Sequence, residues 1–215
     1  MITIKESLNI DPISKPRFEF RSFGKDFSEI VQRMEQLSLS GPEHRRVRIS
    51  EEIYIISKIN DLNNIKIRND SLDVKTLVSY KQGLEQWRPL MKSAFPITGK
   101  ILEEIVFSAL QVSELIWGRD EYELGEFLNL IKSNPELQSV MVKKKRLRYL
   151  INETICEMAQ VVIDDVPVTS ISIESINVPD VLLTIKDLEL EHVENINYLQ
   201  AIKRIIGWIN KPLAN

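Results

Sequence analysis

Between Ile65 and Val78 the chain alternates with a period of two, and this stretch constrains the fold most. Ile65 and Ile67 fall on one side of an extended backbone, and Lys66 and Arg68 on the other. After Asn69-Asp70-Ser71, Leu72, Val74 and Thr76 share a side, and Asp73 and Lys75 take the opposite one. Side chains in a strand point alternately to opposite faces, so the stretch predicts two strands joined by a tight turn. Short polar side chains at 69–71 suit that turn because they bond local backbone and tolerate left-handed conformations. The hairpin has one apolar face and one charged face. Either the charges are the solvated side of an ordinary sheet, or they line a closed cavity and grip an anion.

The same pattern recurs along the chain. Residues 1–15 read as an N-terminal arm. Arg17-Phe18-Glu19-Phe20-Arg21 alternates strictly, with Phe18 and Phe20 against Arg17, Glu19 and Arg21. Asp26 is placed to cap a helix over about 26–38, whose stripe is Phe27, Ile30, Val31, Met34 and Leu37. Residues 45–57 predict one bent strand or two short ones. Over 82–134 the period becomes helical, through Leu84, Trp87, Leu90 and Met91, then Ile101 to Leu110, then Tyr122 to Ile131. This predicts a helical insertion between two blocks of strands. Strands resume over 140–151, 153–165 and 168–175, with Arg146 and Arg148 opposite Leu147 and Tyr149. Helices follow from Val178-Pro179-Asp180, with proline suited to a first turn, and from Asn197 to Trp208. No linker marks a domain boundary, so 1–215 reads as a single domain.

Two sheet architectures fit about eight such strands. An open sheet would leave the charges in water. A closed antiparallel barrel would put helices outside and charges inside, as eight strands can enclose a small ligand. Buried, uncompensated cations are unfavourable, so a barrel must be wet or hold a polyanion. The net charge of -3 over 215 residues makes the chain as a whole no partner for nucleic acid or acidic membranes, so an anion site must come from local clustering. One cysteine, Cys156, excludes an intramolecular disulfide and a cysteine-rich zinc site, and His44 and His192 are too few for a histidine-rich metal site. No apolar signal region or membrane span is evident, which leads to the expectation of a cytoplasmic protein.

Arg17-Phe18-Glu19-Phe20-Arg21 resembles the Glu-x-Glu-x-Lys strand of the CYTH superfamily, the triphosphate tunnel metalloenzymes. Lys66-x-Arg68 with Lys75, then Arg146 and Arg148, Asp164 and Glu174, resemble that family's basic, aspartate-bearing and glutamate strands in order. The resemblance spans about residues 16–208. It implies an α+β fold built on a closed eight-stranded antiparallel tunnel. It also implies substrate binding by Arg17, Arg21, Lys66, Arg68, Lys75, Arg146 and Arg148. Glu19 and Glu174 would be catalytic and, with Asp164, would hold Mg²⁺ or Mn²⁺, with Glu153 and Glu157 as further acids. The implied activity is metal-dependent hydrolysis of a triphosphate or nucleotide-like polyanion; a 5′-triphosphate end is the one nucleic-acid ligand it would admit. The chain departs from the family where Arg17 stands in place of the first carboxylate, which favours anion binding over metal binding. Three readings follow: a phosphohydrolase, a polyphosphate- or nucleotide-binding module without turnover, and a structural or interaction protein that docks through residues 82–134.

Overall fold

Alternation becomes strand pairing through four two-residue hairpins. Their central residues all have positive φ: Asn69-Asp70, Gln82-Gly83, Asn152-Glu153 and Asp164-Asp165. Such turns match the right-handed twist of the flanking strands, and Asn, Asp and Gly enter the left-handed region most readily. A computed structural model describes residues 15–38, 47–112 and 118–214. The arm at 1–14, His44 and the first residues of the strand expected from 45 lie outside these.

Ten strands are present among the described residues. They are β1 (Arg17–Gly24), β2 (Val47–Ser57), β3 (Asn63–Arg68), β4 (Ser71–Lys81), β5 (Leu84–Ala94), β6 (Ile97–Thr98), β7 (Glu121–Tyr122), β8 (Leu137–Ile151), β9 (Thr154–Ile163) and β10 (Val166–Ser175). Eight of them close a barrel in the order β1-β10-β9-β8-β2-β3-β4-β5, and every pair is antiparallel. The helices are α1 (Ser28–Leu37), α2 (Gly99–Ile101), α3 (Ser108–Leu110), α4 (Leu124–Ser133), α5 (Val178–Asp187) and α6 (Tyr198–Ile205). A π-helical stretch, Leu102–Phe107, joins α2 to α3. The closed barrel with flanking helices is the expected fold.

One expected element is corrected. Leu84 to Met91 is not a helix but part of β5, the strand that closes the barrel against β1. The helical segment therefore begins at Gly99, not at 82. Val74 pairs with Met91 and Lys75 with Pro89, so Leu90 is an extra residue in a bulge. A bulge shifts the side-chain phase by one. Leu84 and Met91 thus both bury outside the barrel although seven residues separate them. Seven residues is also two helical turns, so the bulge copied a helical signature.

The barrel wall sorts side chains as strand geometry requires. Ile67 and Val74 pack outside with Leu102, Phe107 and Phe127. Phe20 and Tyr149 pack outside with α5 residues Val178, Val181 and Ile185, and Phe18 and Leu147 join them partly buried. The interior is divided along its axis. At one end Phe23, Ile56, Val140, Val142 and Ile163 form an apolar cluster with Leu199 and Ile202 of α6. Only three β1 residues, Arg17, Phe18 and Glu19, pair with β5. Beyond them the C-terminal segment covers β1: the Ile196 N–H donates to Arg21 O (2.6 Å) and the Ala214 N–H to Phe23 O (2.9 Å). This end of the barrel is filled, and the charged residues occupy the other.

Candidate functional site

The charged half of the barrel encloses a cavity of about 200 Å³. Each strand delivers its inward residues in alternation. Glu19 and Arg21 come from β1, Lys66 and Arg68 from β3, Asp73 and Lys75 from β4. Lys144, Arg146 and Arg148 come from β8, Glu157 from β9 and Glu174 from β10. Seven cationic and four acidic side chains thus share one cavity in a chain whose net charge is negative. The five cations expected together, Lys66, Arg68, Lys75, Arg146 and Arg148, all line it. An open sheet with these charges in bulk water is excluded.

Three of the lining acids, Glu19, Glu174 and Glu157, lie on the adjacent strands β1, β10 and β9, and the fourth, Asp73, is on β4. Glu19 is directly opposite Glu174 on β10 and opposite Glu85 on β5. The Arg21 Nε lies 2.6 Å from Glu19 Oε1, and its Nη2 lies 3.9 Å from Glu174 Oε1. Burial opposes the Arg21 charge, but Glu19 and the surrounding acids and tyrosine outweigh it and raise its pKa above the ordinary value. Burial, then the neighbouring Glu19, pushes the Glu174 carboxyl above the usual range. Burial does the same to Glu85, against hydrogen bonds from Asn197 and Trp87. Arg17 does not line the cavity; it is half exposed and reaches Glu174 Oε2 at 3.4 Å.

The opposite wall is organised by Glu52, whose side chain is wholly buried. It receives Lys144 Nζ at 2.8 Å, Lys66 Nζ at 3.3 Å and an Arg68 Nη1 at 3.4 Å. Burial pushes the Glu52 carboxyl up, but Lys144 and Lys66 more than offset this and hold it well below the usual carboxylate range. Lys144 also donates to Tyr54 Oη (2.7 Å) and lies 3.7 Å from the centre of the Tyr198 ring. Tyr198 and Asn197, at the start of α6, complete the floor.

The three expected metal ligands do not converge. Asp164 sits in the β9–β10 turn at the filled end. The length of β10 separates it from Glu174, roughly 30 Å at the usual rise per residue. Its place in the ligand set is corrected: Asp164 takes a positive φ in the hairpin turn, a conformation aspartate adopts readily, and lies away from the cavity. Glu19 and Glu174 remain paired, and by donor type they suit a hard divalent cation. Arg21 now occupies both. Among the described residues no three His, Cys, Asp or Glu side chains are grouped to hold a metal. Glu153 is in the β8–β9 turn, whereas Glu157 is in the cavity.

Several residues of the site were not singled out from the sequence. Glu52 and Tyr54 alternate with the outward Ile53 and Ile55, a signal of the same kind as in β3, hidden by the apolar run that follows. Lys144 was legible only as one of three consecutive lysines, until strand phase turned it inward. Asn197 and Tyr198 carry no local signal, because the folding-back of the C-terminal segment brings them there.

No protein-family model and no curated protein matches the chain. Among solved structures it is similar to a conserved hypothetical protein from Pyrococcus furiosus, at 15% identity and a TM-score of 0.46, over 85% of this chain and 98% of that one. It is also similar to the capping enzyme triphosphatase of Mimivirus, at 9% identity and a TM-score of 0.44, over 82% of this chain and 90% of that one. Likeness at this distance concerns the fold, so function rests on the cavity itself. Among the described residues no helix is long and apolar enough to cross a membrane.

Proposed function

We propose that the chain binds a triphosphate, or the phosphates of a nucleotide-like polyanion, inside the barrel, as a divergent relative of the CYTH tunnel proteins. One observation carries this: of the seven cations lining one cavity, Lys66, Arg68 and Lys144 are held by Glu52 and Arg21 by Glu19, but Lys75, Arg146 and Arg148 line it with no ion pair to a described residue, in a chain with net charge -3. Arginine and lysine in a partly desolvated site bind phosphate oxygens through charge-assisted hydrogen bonds. At about 200 Å³ the cavity is smaller than the ~300–1,000 Å³ of ordinary ligand pockets, so it suits the phosphates and leaves a nucleoside outside.

A second reading adds hydrolysis, and the register of Glu19 against Glu174 favours it. Those two carboxylates would hold Mg²⁺ or Mn²⁺, which supplies polarisation of phosphoryl oxygens when bound. Arg21 would then leave Glu19 for a phosphate, and Lys75, Arg146 and Arg148 would hold the transferred group and its developing charge. Thermal unfolding with tripolyphosphate, with and without Mg²⁺ or Mn²⁺, tests both readings, because a ligand of the native state stabilises by mass action. Metal-independent stabilisation without phosphate release supports the binding module. Release of phosphate only with metal supports the enzyme. No stabilisation under any condition overturns the polyanion site.

A further inference from the structure

One part of the outer barrel wall has no helix over it among the described residues. On one side Leu147, Met158 and Ile171 belong to the cluster under α1 and α5. On the other, Ile53 joins the cluster under the helical segment. Between them β2, β8 and β9 carry two bare rungs, Ile49 beside Lys145 and Gln160, then Glu51 beside Lys143 and Val162. With Lys25 and the start of β10 they frame a cleft of about 610 Å³. Ile49 is 78% exposed there. Lys25, Lys143 and Lys145 surround one acid, Glu51, whereas the Lys144 side chain turns inward to Glu52. Neither Lys143 nor Lys145 forms an ion pair with a described residue. The cleft is thus locally basic and partly apolar in a chain of net charge -3.

We infer that this cleft docks a short acidic, partly apolar segment of a partner protein. An apolar side chain of the segment covers Ile49 and Val162, and its carboxylates meet Lys143 and Lys145. The inference is independent of the cavity reading, because these side chains are on the outer face of the wall. Interfaces place apolar contact at the centre and charge at the rim, and complementary charge selects the partner. A second copy fits poorly. An isologous contact lays one patch on itself, which would set lysine against lysine. Three strands about 4.8 Å apart and two rungs about 7 Å apart also offer far less than the ~800 Å² per partner of a standard interface. The stretch 39–46 of this chain has the wrong sign, since Arg45 and Arg46 outnumber Glu43. An acidic bilayer would meet a surface whose net charge is negative.

Selection of random peptides of about twelve residues on the full chain tests this, with counter-selection on Ile49→Ser to discard binders of other surfaces. Enriched peptides should combine several Asp or Glu with one or two large apolar residues. Once synthesised, they should bind Lys143→Gln/Lys145→Gln at least about tenfold more weakly than wild type. All three positions are exposed, so both variants should unfold at the wild-type temperature. No enrichment overturns the docking site, as do enriched peptides that lack acids or bind the lysine variant as tightly as wild type. Peptides that match residues 1–14 would assign the cleft to this chain's own arm and overturn the partner. So would a wild-type dimer in sedimentation that the lysine variant dissolves, or binding to phosphatidylserine vesicles that the lysine variant loses.

Discussion

Glu19 and Glu174 stand opposite each other on neighbouring strands, and Arg21 answers to both, at 2.6 Å and 3.9 Å. Glu19 and Glu174 are thus counter-ions before any ligand arrives. The cations across the cavity divide into two kinds. Lys66, Arg68 and Lys144 are tied to Glu52. Lys75 and Arg148 line the same cavity with no ion pair to a described residue within 4.0 Å.

The second kind is the better test of phosphate binding. Lys75→Ala or Arg148→Ala should each weaken tripolyphosphate binding by about 1–3 kcal/mol, the scale of a charge-assisted hydrogen bond with its desolvation. The fold should be little affected, since neither side chain anchors a buried partner. Titration calorimetry in low and high salt checks this, and wild-type affinity should fall as salt screens the open mouth. Unchanged affinity in the double variant would place the site elsewhere.

Glu52→Gln should act on stability. Removing one member of a buried ion cluster leaves the others uncompensated, at a cost of about 3–5 kcal/mol. Native Glu52 has a pKa below that of the unfolded chain. Its contribution is therefore complete above the ordinary carboxylate pKa of about 4.3 and is lost as pH falls below it, where the unfolded state binds more protons. Glu85 and Glu174, whose values are raised, act in the opposite sense: they remove stability as pH rises above that range. Urea unfolding at pH 7 and pH 4 should show the gap between wild type and Glu52→Gln narrowing in acid. A gap that widens in acid contradicts the cluster.

Cys156 reports on the outer wall. It is fully buried between β9 and the α5 layer, and burial pushes its thiol up to about 12. A thiolate is the reactive form. At pH 8 a thiol reagent should therefore modify the native protein at least ~100-fold more slowly than the urea-unfolded chain, because reaction awaits local opening. Comparable rates would mean that the α5 layer does not seal this wall.

Much of the barrel was legible from one rule. Strict alternation in 17–21, 65–68, 72–75 and 146–149 gave both the strands and their inward faces, because a period of two has no other compact meaning. The rule failed at Leu90, where one bulged residue made an odd spacing from Leu84 to Met91 and a strand read as a helix. It was silent on closure: nothing local in Asn197-Tyr198 says that α6 fills one end of the barrel. The site divides in the same way. Cations on regular strands were readable, whereas Glu52, their shared partner, is defined by register between β2, β3 and β8, which a single chain's pattern does not display. Asp164 erred for a related reason: order along the chain placed it among the ligands, and the hairpin carried it to the far end.

The remaining prediction concerns Glu19, where the binding module and the enzyme part. Glu19 accepts from Arg21, and removing its charge frees that guanidinium and takes a negative charge away from beside the anion. If Glu19 is a counter-ion, Glu19→Gln should tighten tripolyphosphate binding in chelator, by about tenfold or roughly 1.4 kcal/mol. If Glu19 is a metal ligand, the same change should weaken binding of the metal–triphosphate complex and abolish phosphate release, since a neutral amide poorly replaces a carboxylate on a hard cation. The two roles give opposite signs for one substitution. Arg21 at 2.6 Å from Glu19 and Arg17 at 3.4 Å from Glu174 favour the first, so tighter binding is the expected result. Affinities of wild type and Glu19→Gln, each with Mg²⁺ and with chelator, decide it. Weaker binding confined to the Mg²⁺ series, with turnover lost, would assign Glu19 to the metal and retire its role as Arg21's counter-ion.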